Sequence, residues 1–324
     1  MKILICKPGT VLAPRPGKTN LQLREMEFFR TACEAAGIDA EIEDSELITE
    51  AKLLEQPTTV VVFAHLDCFS DLFSKLMSVI DSVSGTKVVL VSNDCRLKFK
   101  LDETTVLPRL EREPEDVIIA TNATRHLDQY ANDVLFGMKA GKVLNWALWT
   151  LPAFNTVSRP EVLPERDYIA VYPCMYAKDY GRIRRQILSL LIARLGDKLL
   201  LPGNVEGLAE FNPATVTDTA DVQQWYLQAH TAPVVVEQAY AYYGVVPNRV
   251  SEAIMNDCMP VAYGDFPIKD VPNCGSAPGA LATYCESIAK QYYGQSMQAK
   301  LAQLRSLLSL QKQLMVQQIY DLTR

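Results

Sequence analysis

Strand-like and helix-like segments alternate along this chain, and the alternation runs twice. In the first half, apolar runs at Lys2–Lys7, Thr59–Ala64, Lys87–Val91 and Val117–Ala120 read as strands. Helical periodicity covers Leu21–Ala36 and Asp71–Ser82. Apolar strands separated by amphipathic helices require a parallel sheet with helices on both faces. Val143–Trp149 adds one more strand or helix. A turn-rich passage from Leu151-Pro152 through Pro160 and Pro164 then reads as an interdomain linker.

The pattern restarts at Asp167. Tyr168–Tyr172 is an expected strand, Lys178–Leu195 a helix, Lys198–Leu201 a strand and Asp221–His230 a helix. Pro233–Val236 and Pro260–Tyr263 are strands flanking a helix that carries Arg249 and Glu252. At the end of the chain, Leu301, Leu304, Leu308, Met315 and Ile319 recur at helical spacing. The expected domains are 1–160, 161–297 and a terminal helix, 298–324, that packs back on the first domain.

The 324 residues suffice for two cores. The formal net charge of −6 does not favour nucleic-acid binding, which gains affinity by neutralising phosphates, although a local basic groove is compatible with it. No apolar stretch approaches the roughly 18 residues of a membrane helix. The opening Met1–Lys7 strand turns at Pro8-Gly9 and lacks a cleavage-site pattern, so a cytoplasmic protein is expected. None of the eight cysteines forms a C-x-x-C pair, which points to reduced, buried thiols.

Three places offer chemistry. The apolar run Val88–Val91 opens into Ser92-Asn93-Asp94-Cys95-Arg96-Leu97-Lys98-Phe99, an acid and a base two positions apart at the carboxyl end of a parallel strand. Open α/β sheets put their chemistry there. Asp94 and Arg96 also read as a surface ion pair closing the loop. Lys178, Arg182, Arg184 and Arg185 open the helix after the second unit's first strand. Lys178 and Arg182 share a face, which suits an anion such as a diphosphate and equally suits a solvated basic surface. Arg249 and Glu252 are three apart on a helix, either a site pair or a surface salt bridge.

Other motifs fail. Gly17-Lys18-Thr19 lacks the glycine that a P-loop needs with four residues between, since that position is Leu12, and no G-x-G-x-x-G occurs. His65, His126 and His230 are scattered, so no metal site is expected.

With these segments in order, the chain resembles the DNA β-glucosyltransferases of T-even phages and related phage enzymes that glycosylate 5-hydroxymethylcytosine in DNA. The likeness spans nearly the whole chain. It includes the Met1–Lys7 strand with its long following loop and Glu34-Ala35-Ala36-Gly37-Ile38-Asp39. The most specific match is Asn93-Asp94-Cys95-Arg96-Leu97-Lys98-Phe99, which in the family reads Thr-Asp-Ile-Arg-Leu-Pro-Phe. The resemblance implies that Asp94 is the catalytic base, with Arg96 orienting it or binding acceptor phosphate. It implies that Lys178 and Arg182 hold the diphosphate of UDP, Arg249 a phosphate and Glu252 the ribose. The family's Gly-Gly turn is Pro173-Cys174 here, one of its two arginines is lysine, and its basic net charge is acidic here. Its DNA-inserting loop falls near His65–Phe73, where Phe69 is the closest aromatic.

The implied fold class is α/β of the GT-B type, two Rossmann-like domains with parallel sheets facing across a deep cleft. The first domain would take DNA and the second the UDP-sugar. The implied activity is inverting transfer of glucose, or a pentose such as arabinose, from UDP-glucose or UDP-arabinose to the hydroxymethyl group of a base, 5-hydroxymethylcytosine first, in phage DNA. The nucleotide is flipped out of the duplex to reach the site. Phe69, Lys98 and Lys100 would contact DNA. A divalent cation is compatible, with no protein metal site. The expected partners are double-stranded DNA and UDP-sugar, without a membrane, for a monomer in an infected bacterial cell. The alternatives are a GT-B enzyme acting on a small-molecule or polysaccharide acceptor, which the acidic net charge suits, and a non-catalytic nucleotide-binding protein.

Overall fold

A computed structural model describes residues 2–7, 21–54, 59–64, 79, 83, 85–92, 117–134, 142–155, 165–174, 181–202, 216–217 and 222–322. The chain divides into two compact units, one of Met1–Asn155 with Gln311–Arg324 and one of Thr156–Leu310.

Among its described residues the first unit holds six parallel strands, β1 (Lys2–Lys7), β2 (Asp39–Asp44), β3 (Thr59–Ala64), β4 (Lys87–Ser92), β5 (Val117–Thr121) and β6 (Lys142–Asn145), in the order β2-β1-β3-β4-β5-β6. Its helices among the described residues are α1 (Leu21–Ala35), α2 (Glu50–Leu54) and α3 (Leu127–Val134). Ile3 to Cys6 of β1 are all buried, as a parallel strand covered on both faces must be. Helix α1 lays Met26, Phe29, Ala32 and Cys33 into the same core, at helical spacing. Val143–Trp149 resolves into both alternatives in turn, a strand through Asn145 and then a buried 3₁₀ segment, Leu148–Phe154. Trp146 stacks on Phe29 with ring centroids 6.3 Å apart.

Strand β2 is absent from the sequence reading. Its Asp-Ala-Glu-Ile-Glu-Asp pattern is too acidic to register as a strand. It forms because β1 supplies counter-charges across the ladder: Lys2 pairs with Glu41, and Lys7 reaches Asp44 at 2.9 Å. The Lys2 contact holds the Glu41 carboxyl below its usual range.

Among its described residues the second unit has five parallel strands, β7 (Tyr168–Val171), β8 (Leu199–Pro202), β9 (Val216–Thr217), β10 (Ala229–Val235) and β11 (Met259–Tyr263), ordered β11-β10-β7-β8-β9. Its helices among the described residues are α4 (Arg182–Leu195), α5 (Val222–Leu227), α6 (Gln238–Tyr243), α7 (Arg249–Met255) and α8 (Ala280–Gln291). A last helix, α9 (Gln295–Asp321), contributes its residues from Gln311 onward to the first unit. There Met315, Ile319 and Leu322 join the core of α1, while Gln318 donates to the Asn145 carbonyl at 2.9 Å and accepts from the Ala147 amide at 3.3 Å.

Two helix expectations are corrected. The helix expected over Lys178–Leu195, with Lys178 and Arg182 on one face, begins only at Arg182, because Gly181 ahead of it is extended (φ −64°, ψ 165°). Asp221–His230 reads as a single helix, but α5 ends at Leu227 and β10 begins at Ala229. Cross-strand bonds override the local pattern: His230 Nδ1 lies 2.9 Å from the Tyr168 carbonyl, and Thr231 Oγ1 donates to the Ile169 carbonyl at 2.7 Å. Just before β7, buried Arg166 donates to the carbonyls of Tyr226, Ala229 and Asn256, tying together the amino-terminal side of this sheet.

Candidate functional site

The order β11-β10-β7-β8-β9 fixes where a ligand can sit. From β7 the chain moves outward to β8, and from β9 it returns to β10 on the other flank. The topological switch point therefore lies between β7 and β10, and ligands of open α/β sheets bind at the carboxyl ends of such a pair. Two acids and two bases gather there within the second unit.

Tyr172 follows β7 directly. It is fully buried, and its amide donates to the Leu200 carbonyl at 2.9 Å, which prolongs the β7–β8 ladder. Arg184, in the first turn of α4, donates from Nε to the Tyr172 hydroxyl at 2.9 Å. Its Nη1 lies 3.8 Å from Glu237, which stands just before α6, two positions beyond β10. Arg249, the first residue of α7, places its guanidinium carbon 5.8 Å from the centroid of the Tyr172 ring. Its Nη1 is buried and has no hydrogen-bond partner among the described residues. Glu252, one turn further on α7, receives the buried Tyr226 hydroxyl at 3.4 Å on Oε2.

The local sequence explains this placement. Gly244 takes a left-handed conformation (φ 63°) that ends α6, and Val245-Val246-Pro247 brings the chain to α7. Val250, Ala253 and Ile254 bury one face of α7, which leaves Arg249 and Glu252 along its flank. On α4, the buried positions Arg184, Ile187, Leu188, Leu191 and Leu195 form one stripe. The basic run thus splits, with Arg184 turned inward and Arg182 exposed at the helix start.

Of the expected site residues, Arg249 and Glu252 fall at this switch point, and Arg182 stands at the start of α4. Asp94, Arg96, Lys98, Lys100, Phe69 and Lys178 lie outside the described residues. Strand β4 ends at Ser92, paired with Thr121, and the sequence runs on from there towards Asp94. Tyr172, Tyr226 and Glu237 escape a reading by motif. Their signal is positional: Tyr172 and Glu237 each stand just beyond the carboxyl end of a strand.

The cluster can bind an anion and a hydroxyl-bearing group together. A guanidinium with a buried, unused donor suits phosphate oxygens, and a carboxylate one helical turn away suits a diol. Among the described residues no three His, Cys, Asp or Glu side chains converge as a metal-binding set. No described helix is long and apolar enough to cross a membrane.

Two Rossmann-like units of parallel sheet in one chain define an α/β protein of the GT-B fold. Solved structures carry the same fold over its full length. The β-glucosyltransferase of phage T4 matches 100% of this chain and 98% of its own, with a TM-score of 0.65 at 12% identity. The same phage enzyme in complex with UDP and Mn²⁺ gives a TM-score of 0.67 at 11% identity over the same shares. An Anabaena protein, HepE, in complex with UDP and glucose gives 0.54 at 10% identity, again over 100% of this chain and 98% of that one. No protein-family model matches the chain, and no curated protein matches its sequence.

Proposed function

We propose that this chain is a UDP-sugar-dependent glycosyltransferase that transfers the sugar, with inversion, to the hydroxymethyl group of a modified base in phage DNA. The base is 5-hydroxymethylcytosine, and the sugar is glucose or a pentose such as arabinose. Arg249 carries this reading. It stands at the switch point with a buried Nη1 that has no partner among the described residues, one turn from Glu252. The full-length fold likeness to an enzyme solved with UDP supports the same reading.

In this reading the second unit holds the donor. Arg249, Lys178 and Arg182 take the diphosphate, and Glu252 accepts hydrogen bonds from the ribose hydroxyls. The acceptor hydroxyl attacks the anomeric carbon while Asp94 removes its proton. A new carbon–oxygen bond forms, the bond to UDP breaks, and the cationic side chains stabilise the charge that grows on the departing diphosphate. Arg96 orients Asp94 or binds acceptor phosphate, and Phe69, Lys98 and Lys100 contact a DNA from which the target nucleotide is flipped.

The test is direct. The protein is incubated with hydroxymethylated duplex DNA and a panel of labelled UDP-sugars, with unmodified DNA as control. Label on the hydroxymethylated DNA alone is the expected result. Donor binding without transfer to either DNA favours the second reading, a small-molecule or polysaccharide acceptor, which the net charge of −6 suits better. Absence of UDP binding overturns both.

A further inference from the structure

We infer that Tyr172 is a positioning residue for diphosphate binding: its ring fixes the Arg249 guanidinium so that phosphate oxygens meet the buried Nη1. The inference rests on reading the β7–β10 edge as the UDP-sugar site.

The two arginines that approach Tyr172 are treated differently. Arg184 is 8% exposed, donates to the Tyr172 hydroxyl at 2.9 Å and has the Glu237 carboxylate 3.8 Å from its Nη1. Both guanidinium carbons lie within the distance at which a ring quadrupole attracts a cation, Arg184's 5.9 Å and Arg249's 5.8 Å from the centroid, but Arg249 keeps a buried Nη1 with no hydrogen-bond partner among the described residues. A ring holds a guanidinium without taking up its N–H donors and without cancelling its charge. A carboxylate in the same place would do both. An aromatic anchor therefore leaves Arg249 oriented and still able to offer a planar fork to phosphate. Tyr172 is well suited to this, because it is fully buried and pinned by its own amide to Leu200. The Arg184 bond to its hydroxyl fixes the ring from the opposite end.

The test compares UDP with uridine, which lacks the diphosphate, by calorimetry on the full chain. Tyr172→Leu removes the ring, and UDP affinity should fall roughly three- to thirtyfold, the span of a partly desolvated cation–π contact. Uridine affinity should be unchanged. Tyr172→Phe keeps the ring and should recover most of the UDP affinity. Added to Arg249→Ala, Tyr172→Leu should cost little more, since residues acting through one another are not additive. Thermal melting checks the fold of each variant, and Tyr172→Met replaces Leu if the smaller side chain prevents folding. Equal losses for UDP and uridine, or full additivity with Arg249→Ala, would reduce Tyr172 to a packing role. If Tyr172→Leu binds UDP as the wild type does while Arg249→Ala does not, the positioning inference fails and the donor-site reading stands. If the wild type binds no UDP, both fall.

Discussion

The Tyr226 hydroxyl stands 3.4 Å from Glu252 Oε2. That is longer than the usual hydroxyl–carboxylate bond of about 2.5–3.0 Å, so Tyr226 steadies the carboxylate without gripping it. Ribose hydroxyls binding Glu252 would meet a preset acceptor. Glu252→Ala should therefore weaken UDP binding by about 1.5–3 kcal/mol, the range for hydrogen bonds to a charged group. DNA affinity should stay unaltered. Calorimetry returning wild-type UDP affinity would make Glu252 a surface acid.

Asp94→Asn should leave UDP affinity intact and lower turnover by about 10²–10⁴-fold, as loss of a general base does. Single-turnover kinetics with labelled UDP-sugar measure it. Activity within a few-fold of wild type would remove Asp94 from the mechanism.

A DNA acceptor requires a basic groove on an acidic protein. Arg96, Lys98, Lys100, Arg109 and Arg112 supply cations close in sequence, with Asp94, Asp102, Glu103 and Glu111 interleaved. DNA affinity should fall steeply with salt, because each phosphate contact releases counterions. Replacing Lys98 and Lys100 by Ala should flatten the slope of log K against log salt by almost two. A slope that ignores the substitutions would place the DNA contacts elsewhere.

His230 predicts a pH dependence of stability. Burial, then the nearby Arg166 charge, lowers its pKa from the ordinary 6.5, against the opposing bond to the Tyr168 carbonyl. The folded state therefore resists protonation more than the unfolded chain does. Stability from this group is complete above pH 6.5 and is lost as pH falls below that value towards the folded pKa. His230→Asn keeps a donor towards the Tyr168 carbonyl and does not titrate. Urea midpoints at about pH 7.5 and 5.5 should drop less in the variant than in the wild type. Identical drops would clear His230 of the effect.

Much of the fold is legible in the chain itself, because buried parallel strands must be continuously apolar. Lys2–Lys7, Thr59–Ala64 and Lys87–Val91 announce themselves in this way. Helix α1 does so through its Met26-Phe29-Cys33 spacing. The Arg249–Glu252 spacing is also visible, since one helical turn places both on one flank. Tertiary structure alone decided the rest. The acidic β2 is a strand because Lys2 and Lys7 stand beside it. His230 is a strand residue because the Tyr168 and Ile169 carbonyls face that edge of β10. Tyr172 comes between Arg184 and Arg249 because β7 and β10 are neighbours in space although some 60 residues separate them. Sequence spacing encodes what one helix or strand does with its own side chains. It does not encode which two strands lie side by side, and the site is made at the boundary between two.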